Sequence, residues 1–359
     1  MKIVFFIQGM KGGGAERVMS ILCNTFSENG HEVILGITET MDDMAYELRQ
    51  EVSIRNLTQC GKNVIVRRLQ SLVSMRKLIK KEKPDVVISF ITRTNILAII
   101  AGALLKTPVI ISERNDPGLD PQSKVTRLLR NIVYPFCSGC VFQTEYAKDY
   151  FKERLKKKSV VIPNPVTDEV LKWNDEKNKE KRIVTACRLE PQKNVEMLLE
   201  AYSKATRENE EYCLDIYGKG SLEESLKKRI RELGIEGRAR LMGYSSNIIE
   251  IMSKSEIFVL SSDYEGMPNS LIEAMCVGCA CVATDAPAYG ARQFIINGEN
   301  GILVKVKDEE GMSEALKKLI VDEKLRYNLG KNARLAYQIV DPGVVVHNWL
   351  LYIESICKK

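Results

Sequence analysis

The sequence predicts an α/β protein of two doubly wound parallel sheets. Three observations predict it: the length, two series of β-branched runs separated by amphipathic stretches, and a proline break between the series. At 359 residues, two domains are expected, because a domain runs to about 150 residues and each would then bury its own core.

The opening KIVFFIQG reads as a buried first strand, its apolar run too short for the core of a secretory signal. HEVILGI, PDVVISF, TPVIISE and GCVFQT continue the series, with amphipathic segments filling the gaps. Such alternation belongs to a parallel sheet covered by helices on both faces. At VIPNPVTDEV, Pro163 and Pro165 bracket Asn164, and a lysine-rich stretch then leads into KRIVTACR, YCLDIYG, ARLMGY, EIFVLSS, ACVATD and GILVKV. The same architecture repeats. Residues 1–165 are therefore expected to form one domain and 166–340 the other, facing each other across a cleft where ligands usually bind. The tail DPGVVVHNWLLYIESICKK should start a helix, with Asp341 as cap and Pro342 at the first position.

Apolar content of 45% and charged content of 28% mark a globular chain and exclude a disordered one. The longest apolar run, Ile96–Leu105, is far short of the roughly 20 residues that cross a bilayer, so no transmembrane helix is expected. Ten cysteines with no signal segment suggest buried thiols in a reducing cytoplasm. Cys137/Cys140 and Cys276/Cys279 each form a CxxC, yet only His31 and His347 could supplement them, which favours core thiols over zinc. Charge is uneven: residues 1–165 hold 25 Lys/Arg against 16 Asp/Glu, and the remainder 28 against 31. An anionic partner is expected for the first domain only, and no nucleic acid.

Three loops could carry chemistry. After the first strand, GMKGGGAERVM brings Gly9, Gly12, Gly13 and Gly14 before a helix, so that backbone N–H groups can approach an anion. A dinucleotide fingerprint would need glycine at Arg17, and a P-loop would need Lys-Ser/Thr after Gly14; neither fits. In the second domain, TACRLEPQKNVEML ends its strand at Arg188 and starts a helix near Asn194. Arg188 and Lys193 then suit a diphosphate, one as a planar fork and the other as a point charge, or they are solvated loop cations.

The third loop, SSDYEGMPNSLIEAM, holds Glu265 in a turn and Glu273 just inside a helix capped by Asn269 or Ser270. Ser270 to Glu273 has capping-box spacing, which accounts for Glu273 but not for Glu265. A carboxylate about 4 Å from a pyrophosphate is repelled by about 4 kcal/mol at an effective dielectric near 20. Neutral sugar and ribose hydroxyls donating to each carboxylate would relieve that repulsion. A nucleotide-diphosphate sugar has that layout.

Here the residues resemble a family. EGMPNSLIE, RLEPQKN and GGGAERV, with NPV at Asn164–Val166, Gly243-Tyr244 and NGENGILV at Asn297–Val304, are similar in order to the retaining glycosyltransferases of family 4, which have the GT-B fold of two Rossmann-like domains. The resemblance covers essentially the whole chain and implies a C-terminal helix, residues 341–359, crossing back to the first domain. It implies that Arg188 and Lys193 bind the donor diphosphate, that Glu265 binds the transferred hexose, and that Glu273 binds the ribose. Gly266, Met267, Pro268, Asn269, Ser270 and Leu271 would contact sugar and phosphate through their backbone. Tyr244 would lie beside the base, and Gly13 and Gly14 would face the phosphates or the acceptor. Met267, Tyr289 and Arg292 would select the sugar. UDP is the expected carrier, with GDP second.

The chain departs from the family where many relatives carry a histidine; ISERNDP offers Glu113 and Arg114 instead, for orienting sugar, phosphate or acceptor. It has no Asp-x-Asp, so no divalent metal or other cofactor is expected. By resemblance, the acceptor is a glycan or polyprenyl-linked glycan. Residues 64–83, with Val66, Leu69, Leu72, Val73 and Ile79 toward one face and Arg67, Arg68, Arg76, Lys77, Lys80 and Lys81 on the others, would rest peripherally on the anionic inner face of the cell membrane. The alternative is a packed helix with a solvated basic side. The rival functions are a nucleotide-sugar epimerase, which usually needs a cleft histidine, and a noncatalytic nucleotide-sugar binder, which needs no diphosphate-stabilising cations.

Overall fold

A computed structural model describes residues 1–11, 13–39, 44–57, 64–173, 179–287 and 290–358. It divides into two compact units, Met1–Pro165 with Pro342–Lys359 and Val166–Asp341.

In the first unit the strands are β1 (Lys2–Ile7), β2 (Glu32–Ile37), β3 (Ser53–Asn56), β4 (Val86–Phe90), β5 (Val109–Ser112), β6 (Gly139–Phe142) and β7 (Ser159–Val161). All pair in parallel, in the order β3-β2-β1-β4-β5-β6-β7. The central strands read as unbroken apolar runs because helices cover both of their faces; every residue of β4 and β5 is buried. The connecting helices are α1 (Gly14–Glu28), α2 (Val64–Glu82), α3 (Thr92–Gly102), α4 (Lys124–Val133), α5 (Glu145–Asp149) and α6 (Glu153–Lys156). The edge strands β3 and β7 are short and have no fully buried position. That is why the strand-like runs in the sequence do not include them.

The second unit repeats the pattern with β8 (Glu180–Ala186), β9 (Cys213–Tyr217), β10 (Ala239–Gly243), β11 (Ser255–Leu260), β12 (Ala280–Thr284) and β13 (Ile302–Val304), in the order β10-β9-β8-β11-β12-β13. Its helices are α7 (Glu169–Lys172), α8 (Val195–Ala205), α9 (Glu223–Glu232), α10 (Ile248–Ser253), α11 (Asn269–Cys276), α12 (Glu309–Val321), α13 (Glu323–Ala333) and α14 (Tyr337–Val340). Both sheets reverse their winding in the middle, between β1 and β4 and between β8 and β11. Loops leaving the carboxyl ends of those strands diverge there and leave room for a ligand.

The last helix, α15 (Pro342–Cys357), belongs to the first unit. Val345, Val346, Trp349 and Ile353 join the core formed by Ile3, Phe5 and Phe90, with the Trp349 and Phe90 rings 6.0 Å apart. The Tyr352 hydroxyl accepts from the Cys140 N–H at 2.9 Å and donates to the Lys158 carbonyl at 2.5 Å, which ties the helix to β6.

One expectation takes a different form. The five apolar residues proposed for one face of α2 do not share an environment: Ile79 is buried beside Met75 and Leu78, Leu72 is half-buried, and Val66, Leu69 and Val73 are exposed. At about 100° per residue, the last three fall on one stripe and Ile79 lies on the opposite flank, toward the sheet. Cys137, Cys140, Cys276 and Cys279 are all buried free thiols. Burial pushes Cys137 and Cys276 up to about 12, which keeps them neutral and poor in thiolate. Among the described residues, no helix is long and apolar enough to cross a membrane.

Candidate active site

The loop after β8 is built by its own sequence. Asn194 sits at φ 44°, ψ 45°, a left-handed conformation that asparagine tolerates. From there its Oδ1 caps α8 by accepting from the Met197 N–H at 3.4 Å, and its Nδ2 donates to Asp263 Oδ1 at 2.9 Å. The loop after β11 is stitched to the same residues. Gln192 Nε2 donates to the Tyr264 carbonyl at 2.7 Å, the Asp263 N–H donates to the Gln192 carbonyl at 2.8 Å, and Ser261 Oγ donates to the Lys193 carbonyl at 2.8 Å. Two loops 70 positions apart in the chain thereby become one surface at the winding reversal.

Glu265 Oε1 accepts from Ser262 Oγ at 2.6 Å and forms an ion pair with Lys193 Nζ. The two side chains are only 14% (Lys193) and 9% (Glu265) exposed. This changes the electrostatic account drawn from sequence, in which hydroxyls alone relieve Glu265. Here Lys193 supplies the counter-charge itself, so an anion brought to this surface meets a neutralised carboxylate. Arg188 is exposed, with Nη2 3.5 Å from Gln192 Oε1.

Helix α11 begins two residues earlier than its capping box requires. Pro268 occupies the cap position and provides no side-chain cap, Asn269 is the first helical residue, and Ser270 lies inside the first turn. The capping-box register is therefore lost. The first N–H groups of α11 have no partner within the helix, and its positive dipole end faces the same loops. Glu273 is 3% exposed, one turn into the helix. Met267 and Leu271 are core residues, so only their backbone can face a ligand. Arg292 forms a two-point ion pair with Asp285. Tyr289 and Gly12 lie outside the described residues.

Glycines hold the neighbouring loop ends at backbone contact. Gly218, at φ 137°, donates to the Gly243 carbonyl at 2.8 Å, and a Cβ there would fall 1.8 Å from the Cys187 carbonyl oxygen. Tyr244, directly after Gly243, is 60% exposed. Gly290 approaches the Glu265–Pro268 turn as closely: its Cβ would lie 1.8 Å from the Gly266 carbonyl oxygen. The sequence reading passed over Gln192, Ser262, Asp263, Gly218 and Gly290. Their signal was present only in pairs far apart along the chain.

In the first unit, Gly13 and Gly14 head α1 after β1, with Gly13 at its cap. Glu113 and Arg114 follow β5. Glu113 is buried and accepts from Tyr134 Oη at 2.8 Å and from Thr92 Oγ1 at 3.1 Å; burial lifts its carboxyl above the ordinary value. The Arg114 guanidinium carbon lies over the Phe90 ring, 3.8 Å from its centroid, and Nη1 donates to Asn164 Oδ1 at 2.5 Å. Its Nε and Nη2 are buried and have no hydrogen-bond partner among the described residues, and burial draws its pKa down to about 9. Ile91, beside Phe90, is held at φ 74°, a strained conformation for a β-branched residue. His31 pairs with the Met1 amine and His347 is exposed on α15, so neither stands at the carboxyl end of a strand.

Residues 167–336 match the family model for glycosyl transferases group 1, and residues 12–170 match that for glycosyltransferase family 4. The chain is 32% identical, over 99% of both lengths, to the Campylobacter jejuni alpha-1,4-N-acetyl-D-galactosaminyltransferase named for GalNAc-alpha-(1->4)-GalNAc-alpha-(1->3)-diNAcBac-PP-undecaprenol. It belongs to glycosyltransferase family 4. The transferase is also 27% identical to the Escherichia coli UDP-Gal:alpha-D-GlcNAc-diphosphoundecaprenol alpha-1,3-galactosyltransferase, over 83% of this chain and 80% of that one. Its backbone matches Anabaena HepE, solved with UDP and glucose, at TM-score 0.85 with 18% identity, covering 99% of this chain and 100% of that one. This likeness shows that the transferase has the GT-B fold.

Proposed function

We propose that the transferase moves a hexose or N-acetylhexosamine from a UDP-sugar to a hydroxyl of a lipid-linked glycan, with retention of anomeric configuration and without a divalent metal. The observation that carries this reading is the gathering of Arg188, Lys193 and Glu265 with the N-terminal turn of α11 at the reversal between β8 and β11. As the bond between the anomeric carbon and the diphosphate oxygen breaks, its electron pair stays on that oxygen. Arg188, Lys193 and the helix end are placed to stabilise the charge, at about 1.5–3 kcal/mol per charge-assisted hydrogen bond. The acceptor oxygen bonds to the same face of the anomeric carbon, and its proton passes to the departing diphosphate. Glu265 accepts from a sugar hydroxyl and Glu273 from the ribose, while Tyr244 lies against the base. The Campylobacter and E. coli relatives are named for undecaprenol diphosphate acceptors, which supports a lipid-linked acceptor and a peripheral position at the membrane. The exposed Arg67, Arg68, Lys77 and Lys80 of α2 are suited to that surface.

Thermal shifts against a panel of nucleotides and nucleotide sugars test the donor; UDP compounds should raise the melting temperature and GDP compounds should not. Turnover should survive EDTA, and product NMR should show the donor's anomeric configuration. Strict dependence on added manganese or magnesium would remove the metal-free mechanism.

Arg114 orients sugar or phosphate through its two unpartnered nitrogens. Arg114→Ala should lower turnover about 10-fold or more, the worth of one charge-assisted hydrogen bond, and should also lower stability, because the Nη1 bond to Asn164 and the packing on Phe90 are lost. Unchanged turnover and donor affinity would exclude this role.

A further inference from the structure

Exposed apolar side chains occur singly on most soluble surfaces, but α4 gathers them. Val125, Leu128, Leu129 and Ile132 are 68%, 61%, 47% and 55% exposed, and Phe136, just past the helix, is 67% exposed. Their spacing of i, i+3, i+4 and i+7 puts the four on one stripe. The side of α4 turned toward the protein carries Arg130 instead, fully buried. Its Nη1 donates to the Asp120 carbonyl at 2.9 Å, and its guanidinium lies over the Tyr150 and Phe151 rings at 5.2 and 5.1 Å. The helix is largely inside out: Arg130 lies in the protein while four of its apolar side chains lie in solvent. Water gives no reason for such an arrangement, and a clustered apolar patch of this kind marks a contact surface.

The surroundings indicate what covers it. Residues 124–158 contain nine Lys/Arg and three Asp/Glu. Lys124 and Arg154 are exposed, with the Arg154 guanidinium 5.1 Å from the Phe136 ring. An apolar stripe rimmed by cations fits a layer whose outside is anionic and whose inside is hydrocarbon. An acidic protein partner would meet the cations but leave the stripe wet.

We infer that α4 lies in the interfacial region of an anionic bilayer, with Val125, Leu128, Leu129, Ile132 and Phe136 below the headgroups and Lys124 and Arg154 among them. The inference rests on the reading that the acceptor is lipid-linked, because such an acceptor is met only at a bilayer. Arg130 fixes the angle at which the helix presents its stripe.

The test uses the full chain and vesicles of phosphatidylcholine with or without phosphatidylglycerol. Wild type should co-sediment with the phosphatidylglycerol vesicles, more weakly as salt rises. The surface variant Leu128→Gln/Ile132→Gln should bind at least about 10-fold more weakly, as burying a single leucine side chain alone contributes that much. The UDP-induced thermal shift of that variant should match wild type, which reports that the donor site and the fold are intact. Failure of wild type to bind the vesicles, or equal binding by the variant, overturns the inference. So does a wild-type dimer by light scattering that the variant converts to monomer, since a second copy of the chain would then cover the stripe. Vesicle binding with no response to any nucleotide sugar would leave the surface standing and remove the proposed donor chemistry instead.

Discussion

Lys193→Ala is expected to lower turnover by about 10²-fold or more and also to cost about 2–3 kcal/mol of stability, whereas Arg188→Ala lowers turnover alone. The turnover loss follows from removing a preorganised cation at the site of developing charge. The stability loss follows from leaving Glu265, 9% exposed, as a carboxylate without its counter-ion. Breaking a fully buried pair costs about 3–5 kcal/mol, and the remaining hydrogen bond from Ser262 with the residual exposure reduces that figure. Arg188 is exposed and anchors nothing inside, so its removal should leave the denaturation midpoint within about 0.5 kcal/mol of wild type. The double variant Lys193→Ala/Glu265→Gln separates the two effects. It should regain most of the lost stability and none of the turnover. If the double variant is as unstable as Lys193→Ala, the ion pair is not the source of the loss.

Gly290→Ala should be the second severe change. The added methyl would fall 1.8 Å from the Gly266 carbonyl oxygen and 3.0 Å from Pro268 Cδ, so the turn that carries Glu265 has to move. A displacement of about 1 Å at a reacting centre costs about 10²-fold in rate, and forcing extra volume into packed structure costs about 1–3 kcal/mol. Both should appear together in urea titration and in steady-state kinetics. Wild-type kcat with only a lowered melting temperature would mean that the turn does not position the reacting groups.

The central strands of both sheets were legible in the sequence because burial on both faces leaves nearly continuous apolar runs such as VVISF and IFVL. β3 and β7 were not, because edge strands with few buried positions carry no such run. The residue types of the site were legible as motifs, but not their partners. Lys193 and Glu265 stand 72 positions apart, and only the winding of β8 beside β11 makes them neighbours. The start of α11 was misplaced by two residues, because Pro268 takes the cap position that the spacing of Ser270 and Glu273 assigns to Ser270. In α4 the stripe of Val125, Leu128, Leu129 and Ile132 is plain in the sequence, yet an apolar stripe normally faces a core. Only the burial of Arg130 on the other side reveals its direction.

Helix α15 has a consequence for how the molecule is made. The second unit is one continuous stretch of chain, Val166–Asp341, whereas the first is interrupted and takes its final piece from Pro342 onward. During synthesis, β1 and β4 wait with one flank only partly covered, by α1, until Trp349 and Ile353 leave the ribosome, so the half that starts first finishes last. A gene fragment coding for the second unit should give an autonomous product. The first unit can be produced alone only if position 165 is rejoined to position 342 by a linker.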